Sequence, residues 1–223
     1  MPTLDRQDDV FVLDIGQTEN RFHPHWMASV NALLDEVEAA DGGRALVTTA
    51  GGKFFSNGLD LDWLGRHPDE AGTYITDVQA LLARVLTLPL ITVAALQGHT
   101  FAAGAMLSLA HDFRVMRADR GFWCLPEADI GIPFSAGMSA LIQARLSVHT
   151  AHQAMVTARR YGGLDAAAAG IVDSAVDEAA VRPAAVEIAR GLTGKAGPTL
   201  GTIKARMYAP VLEALGEKDI RLG

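Results

Sequence analysis

Two hydrophobic periods alternate through the first two-thirds of this chain. Val10–Ile15 (VFVLDI), Ala45–Thr49, Ile91–Leu96 and Phe113–Arg117 are short, nearly continuous apolar runs rich in β-branched residues, the pattern of strands buried on both faces. Between them the apolar positions recur at helical spacing. Pro24 opens a helix through about Ala39, with Val30, Leu33, Leu34 and Val37 on one face, and Asp41-Gly42-Gly43 closes it. Leu59–Leu64 predicts a short helix, and Asp69–Thr87 a long one that stops before Pro89. A helix starts near Ala103-Gly104, and others follow at Ser135–Leu146, Thr150–Ala158 and Ala166–Ala169. A short strand near Val172–Val176 then precedes helices at Glu178–Leu192 and Pro198–Leu215. Strands alternating with helices predict an α/β layered core, and the nearly all-helical last third predicts a cap or an oligomer contact. Residues Gly16–His25, Ala50–Gly58 and Gly98–Ala105 read as loops.

Composition narrows the class. The chain of 223 residues is 49% apolar and 20% charged, enough to build a substantial core. A net charge of −7 argues against a nucleic-acid groove, which needs clustered Lys and Arg, but leaves room for a locally basic pocket. The single cysteine, Cys124, excludes an internal disulfide and a cysteine metal cage, and it reads as a small buried hydrophobe. The apolar runs are too short to cross a membrane. Met1–Asp9 is polar and acidic, unlike a signal or transit peptide, and Arg221-Leu222-Gly223 is not a peroxisomal address of the Ser-Lys-Leu type. A cytoplasmic location is the default expectation.

The chemistry concentrates in three places. The loop Gly51–Leu61 joins a strand to a helix, so unpaired amides gather near Leu59 and Asp60, with Asn57-Gly58 supplying the permissive backbone. It lacks the order of a phosphate-binding P-loop, and alone it is an ordinary strand-to-helix loop. The second loop, Gly98–Ala105, is built of small residues at a helix N-terminus; these either admit a ligand oxygen to the backbone amides or let the helix pack closely on a sheet. Two such loops can contribute one amide each to an oxyanion hole. Third, Glu127 follows Pro126 in an apolar stretch, where a carboxylate has a raised pKa and suits a general base, or is a paired acid beside a turn. Asp129 lies two residues on and, in an extended segment, faces the same way. His99 and His111 fit no metal spacing and read as polar cap or core histidines.

Taken in order, KFFSNGLDL, QGHTFAAGAMLSLAHDFRVM and LPEADIGI resemble the enoyl-CoA hydratase/isomerase (crotonase) superfamily, closest to its Δ3,Δ2-enoyl-CoA isomerase branch and particularly to plant-type members. The resemblance runs from the first strand and Glu19-Asn20-Arg21 to the helices past Tyr161. It implies a crotonase (ClpP-like) α/β spiral of ββα units over residues 1–160, with a helical C-terminal region, 161–223, for capping or oligomerisation as a homotrimer or possibly a hexamer. It implies an acyl-CoA thioester as substrate, with coenzyme A part of that substrate and no separate cofactor or metal. Leu59 and Ala103 fall at the family's oxyanion-hole amides and Glu127 at its acid. Lys53, Phe55 and Asn57 belong to the loop expected beside the coenzyme A portion. Trp63, Leu64, Met106, Ile130 and Phe134 are walls of an acyl pocket or plain core. Asp112 matches a structural aspartate, while Arg159, Arg160, Lys204 and Arg206 are either phosphate contacts or solvated helix residues.

One departure decides between reactions. Hydratases of the family use two glutamates to activate a water, and the place of the first, two residues after Gly104, is held here by Met106. A thioether cannot accept water's proton at neutral pH. The resemblance therefore implies a one-base isomerase, which moves a double bond by a C2-to-C4 proton transfer on Glu127. The alternatives are another reaction of the family (hydration or thioester hydrolysis) and a non-catalytic acyl-CoA-binding protein.

Overall fold

In chain order, the computed structural model, which describes residues 1–217, begins with strands β1 (Thr3–Gln7) and β2 (Val10–Asp14), helix α1 (Pro24–Ala39), strands β3 (Ala45–Thr49) and β4 (Phe54–Ser56), and helices α2 (Leu61–Arg66) and α3 (Ala71–Thr87). Next come β5 (Ile91–Leu96), β6 (His99–Phe101), α4 (Ala103–Ala110), β7 (Phe113–Arg117), β8 (Trp123–Cys124), α5 (Glu127–Ile130), α6 (Ala136–Arg145) and α7 (Val148–Thr157). The chain closes with α8 (Gly163–Ala168), β9 (Ser174–Val176), α9 (Glu178–Arg190), α10 (Pro198–Met207) and α11 (Ala209–Leu215). The terminal tripeptide Arg221-Leu222-Gly223 lies outside the described residues.

The strands form two sheets. The larger runs β1-β2-β3-β5-β7-β9 and is parallel except for the β1–β2 hairpin; the smaller runs β4-β6-β8 and is parallel. Three successive turns of the chain, at β3–β4, β5–β6 and β7–β8, each lay one strand in the large sheet and the next in the small sheet before a helix follows. This is the ββα spiral that the resemblance implies. Because β4, β6 and β8 are parallel neighbours, the segments leaving them emerge at one edge of the small sheet. Those segments are Asn57-Gly58-Leu59, Ala102-Ala103 and Leu125-Pro126-Glu127.

Alternation sorts the large sheet's side chains. Phe11, Leu13, Leu46, Ala94 and Leu96 enter the main core with α1, α3, α4 and α6. Val10, Val12, Val47, Val93 and Val115 pack against Val181, Ala185 and Ala189 of α9 on the other face. Covering on both faces explains why these strands read as continuous apolar runs. Every residue of α4 is buried, which accounts for its uncharged sequence AGAMLSLA.

Four expectations need correction. Thr3–Gln7, within the polar N-terminal segment, is an edge strand paired with β2; its exposed and half-buried side chains give no hydrophobic signal. Strands β4, β6 and β8 lie in or beside segments read as loops, and at two or three residues they are too short for a period to be counted. The helix after the first loop begins at Leu61 rather than Leu59, because the Asp60 side chain caps it by accepting from Trp63 N–H at 3.0 Å. Pro198–Leu215 is two helices broken at Tyr208, since Pro210 has no N–H to continue the ladder.

Asp112 is structural, as expected. Its Oδ2 accepts from Thr92 N–H at 2.8 Å and from Lys204 Nζ at 2.6 Å, and Lys204 also donates to Leu90 O at 2.8 Å. Lys204 is thus neither a phosphate contact nor solvated: it is 4% exposed and pins α10 beneath the start of β5. Burial lowers its pKa and Asp112 opposes that shift. Replacing it strands a carboxylate and a carbonyl, so Lys204→Met is expected to cost roughly 2 to 4 kcal/mol, read as a lower urea midpoint. Adding Asp112→Asn should restore part of the loss. Recovery of nothing by the double variant would show that the pair does not act as a unit.

Candidate active site

A cavity of about 330 Å³ opens at the edge of the small sheet where the three exits meet. Seven of the residues singled out from the sequence line it: Asn57, Leu59, Ala103, Met106, Glu127, Ile130 and Phe134. Lys53, Phe55, Trp63 and Leu64 do not. Lys53 is exposed, with its ammonium 5.2 Å from the centre of the Phe54 ring. Phe55 is fully buried in the core, so only its backbone faces the loop surface. Trp63 stacks on His67 and leans on Tyr74, with ring centres 4.3 and 5.1 Å apart, and holds α2 down from outside the cavity.

The first exit is clamped from both sides. Asn57 N–H donates to Glu19 O and Phe22 N–H to Gly58 O, each at 2.8 Å. Buried Asn20 donates its side-chain amide to Phe55 O at 3.0 Å, and Ser56 Oγ donates to Asn20 O at 2.8 Å. The amides flanking Leu59 are engaged, Gly58 N–H with Ser56 Oγ at 3.1 Å and Asp60 N–H with Tyr74 Oη at 2.8 Å. Leu59's own N–H has no acceptor among the described residues. The same holds for Ala103 N–H, the first of α4, a helix with no side-chain cap.

Gly58 brings the two exits together. It sits at φ +80°, and a Cβ there would lie 2.8 Å from Ala103 N and 3.0 Å from Phe101 O. Ala102 is held at φ 50°, ψ −127°, a conformation an L residue occupies only under constraint. Its N–H donates to Cys124 O at 3.1 Å and its O accepts from Met106 N–H at 3.1 Å, which fixes the peptide leading into Ala103.

The third exit supplies the acid. Glu127 is 7% exposed and begins the single turn α5, which Gly131 ends in the left-handed conformation at φ 69°. Its Oε2 is buried and has no hydrogen-bond partner among the described residues. Burial pushes its pKa up to about 7. Asp129, by contrast, is exposed: the segment is a helical turn rather than extended, so the two acids do not face the same way. A short turn between Pro126 and Gly131 was too brief to show in the sequence.

Sequence reading missed Arg21, Leu61, Asp62, Ile75, Phe101, Ile132, Pro133 and Met138 as cavity residues. Most are apolar, and nothing in the pattern separates a wall from a core position. Arg21 binds Glu19 at 2.6 Å and Asp62 at 2.5 Å, so the second carboxylate of the cavity wall is already paired. At the outer side, Arg160 lies 6.0 Å from the Phe101 ring centre, and Lys53, Arg120 and Arg160 join burial in lowering the pKa of His99. Buried His111 donates from Nδ1 to Leu107 O, accepts at Nε2 from Thr48 Oγ1 and stays neutral, with burial pushing its pKa down to about 4. Cys124 lies against Ala158 O and burial raises its thiol to about 11. Among the described residues no group of three or more His, Cys, Asp or Glu could hold a metal, and no helix is long and apolar enough to cross a membrane.

Comparison with known proteins gives the same picture. The family model described as Enoyl-CoA hydratase/isomerase matches residues 6–220. Enoyl-CoA delta isomerase 3 of Arabidopsis thaliana is 38% identical over 93% of this chain and 92% of its own, and the plant's peroxisomal enoyl-CoA delta isomerase 2 is 35% identical over 97% and 95%. Among solved structures, the enoyl-CoA isomerase of Mycobacterium tuberculosis superposes with a TM-score of 0.87 at 29% identity, covering 96% of this chain and 93% of that one. Human mitochondrial delta3-delta2-enoyl-CoA isomerase gives 0.86 at 25%, covering 96% and 85%. The two loops, the acid, the spiral that brings them to one edge and these likenesses agree: the chain belongs to the enoyl-CoA hydratase/isomerase (crotonase) family.

Proposed function

We propose that this protein is a Δ3,Δ2-enoyl-CoA isomerase working with one base. The observation that carries the reading is the meeting, in one cavity, of a buried acid whose Oε2 has no partner among the described residues with two amides that have no acceptor among them. The thioester oxygen is held by Leu59 and Ala103 N–H. Glu127, ionised, removes a proton from C2 of a 3-enoyl ester. The C–H electron pair spreads through the C3=C4 double bond and the carbonyl, and the charge settles on the thioester oxygen between the amides. Dipoles fixed before the charge develops cost no reorganisation, which makes such a hole effective. The proton then returns from Glu127 to C4, the double bond lies between C2 and C3, and no atom is gained or lost.

Hydration requires a second group to hold and activate water, and Met106 stands where that group would be. The remaining wall carboxylate, Asp62, is committed to Arg21. The exposed cations Lys53, Arg120 and Arg160 on the outer side, which form no ion pair among the described residues, suit the phosphates of coenzyme A, which arrives with the substrate; the reaction as written calls for no other cofactor. The likeness to isomerases of Arabidopsis thaliana and humans supports this choice among the family's reactions.

The test is the product. Incubation with 3-enoyl-CoA should give 2-trans-enoyl-CoA of unchanged mass, whereas 2-enoyl-CoA should gain no water and free no thiol. Because the base must be ionised, kcat/KM should rise with pH through about 7 and level off above it. A rate independent of pH between 5.5 and 8.5 (about three units centred on that value) would remove Glu127 from the base's role.

A further inference from the structure

The Leu59 amide is aimed by the two peptide groups on either side of its Cα. A trans peptide points its C=O and N–H in opposite directions. The 2.8 Å bond from Phe22 N–H to Gly58 O therefore turns the Leu59 N–H away from Phe22. The next peptide is held through its own N–H, which Asp60 donates to Tyr74 Oη at 2.8 Å. With both flanking peptides pinned, neither φ nor ψ of Leu59 turns freely. One pin is main chain, and the other is a single side-chain oxygen.

The local chain gives the second pin little help. Helix α2 follows at once and buries none of its residues, so packing does not fix Asp60. The Asp60 carboxylate is engaged at the start of that helix, where it accepts from Trp63 N–H at 3.0 Å. Tyr74, by contrast, is 2% exposed and stands near the start of α3, whose buried face includes Ile75, Val78, Leu81 and Leu82. Its ring supports Trp63, with centres 5.1 Å apart, while its oxygen holds the Asp60 amide. A thinly packed loop is thus tied to a firmly packed helix. Burial pushes the phenol's pKa up to about 12, so it remains a neutral hydroxyl where Glu127 titrates. Tyr74 does not line the cavity, and its influence on a substrate passes through the backbone.

Resting on the isomerase reading above, we propose that Tyr74 is a positioning residue for the reaction: its hydroxyl, through the Asp60 amide, keeps the Leu59 N–H directed at the thioester oxygen. Its effect belongs to the transition state. A neutral carbonyl tolerates a tilted donor better than an oxygen that has taken up negative charge, so misalignment lowers kcat more than it raises KM. Without the hydroxyl, a part-buried N–H loses its acceptor, and the peptide turns towards water to find another.

Tyr74→Phe keeps the ring against Trp63 and deletes only the acceptor. Its kcat on 3-enoyl-CoA should fall about tenfold to a hundredfold, with KM changed less than about threefold. The pH profile should keep its midpoint at about 7, since the base is untouched. A second readout needs no turnover: acetoacetyl-CoA, whose enolate absorbs in the ultraviolet, should enolise on the variant about one pH unit higher than on the wild type. Tyr161→Phe is the control. It deletes another buried tyrosine's hydroxyl, which donates to Gln153 Oε1 at 3.0 Å, and should shift neither readout. Folding is checked by circular dichroism. If Tyr74→Phe does not fold, a monofluorinated tyrosine at position 74, of nearly the same shape but a weaker acceptor, should move both readouts in the same direction. Unchanged kcat and enolisation, a fall matched by Tyr161→Phe, or a raised KM at full kcat would each overturn the positioning role and leave the isomerase reading intact. A wild type that enolises acetoacetyl-CoA but converts no 3-enoyl ester would overturn the isomerase reading, and the variant's enolisation would still decide on Tyr74. A wild type that does neither would overturn both.

Discussion

Glu127→Gln should abolish isomerisation and at the same time stabilise the fold. The amide has the carboxylate's shape but cannot take the C2 proton, so kcat is expected to fall by about three orders of magnitude with KM changed less than about threefold. The stability effect follows from the same burial. Glu127 holds its proton up to about pH 7 in the folded protein and releases it near 4.5 when exposed. Its contribution is therefore fully present below about pH 4.5 and is lost as the pH rises through about 7, at a cost on the order of 3 kcal/mol above that. The amide has no such dependence. Melting temperatures of wild type and variant should converge near pH 4.5 and separate by pH 8, with the variant higher. Equal melting curves at pH 8 would mean that the carboxylate reaches water, and the raised pKa would lose its cause.

Gly58→Ala should remove most of the activity without touching any group that reacts. The added Cβ would sit 2.8 Å from Ala103 N and 3.0 Å from the Ala102 Cβ, at a φ of +80° that alanine resists. Relief requires the two exits to move apart, which takes the amides of Leu59 and Ala103 out of register with one oxygen. Loss of one such donor costs about a hundredfold to a thousandfold in kcat, and a similar fall is expected here. A modest loss of stability, roughly 1 to 2 kcal/mol, should accompany it. Gly194→Ala is the control: nothing lies within 4 Å of a Cβ there, and activity should be retained. A Gly58→Ala enzyme with normal kcat would show that the contact between the loops does not set the oxyanion geometry.

The large sheet was legible in the sequence because its strands are buried on both faces, so Val10–Asp14, Ala45–Thr49, Ile91–Leu96 and Phe113–Arg117 announce themselves as apolar runs. Glu127 was legible because an acid among Leu125, Pro126 and Ile130 is chemically conspicuous. The small sheet was not: Trp123-Cys124 is too short for any period, and β4 is recognised only through its pairing with β6 and, through β6, with β8. Phe55 shows a different limit. Its place in a functional loop is visible in sequence, but alternation along three residues decides that its ring enters the core. Arg21 is a third case, since its place in the cavity depends on a clamp between Glu19–Phe22 and Asn57-Gly58 that only the folded chain brings together.

The three exits from the small sheet divide their labour unevenly, and this bears on how such a protein can change. The first two contribute main-chain N–H groups, which every residue but proline possesses. Substitutions at Leu59 and Ala103 can therefore drift or reshape the pocket while the anion trap survives. On the one-base reading proposed above, the third exit and the position of Met106 contribute side chains, and there a single substitution would change which proton carrier the site holds. A scaffold of this kind separates what must persist from what can be exchanged. The chain's relatives carry names for both isomerisation and dehydration, as such a division of labour would allow.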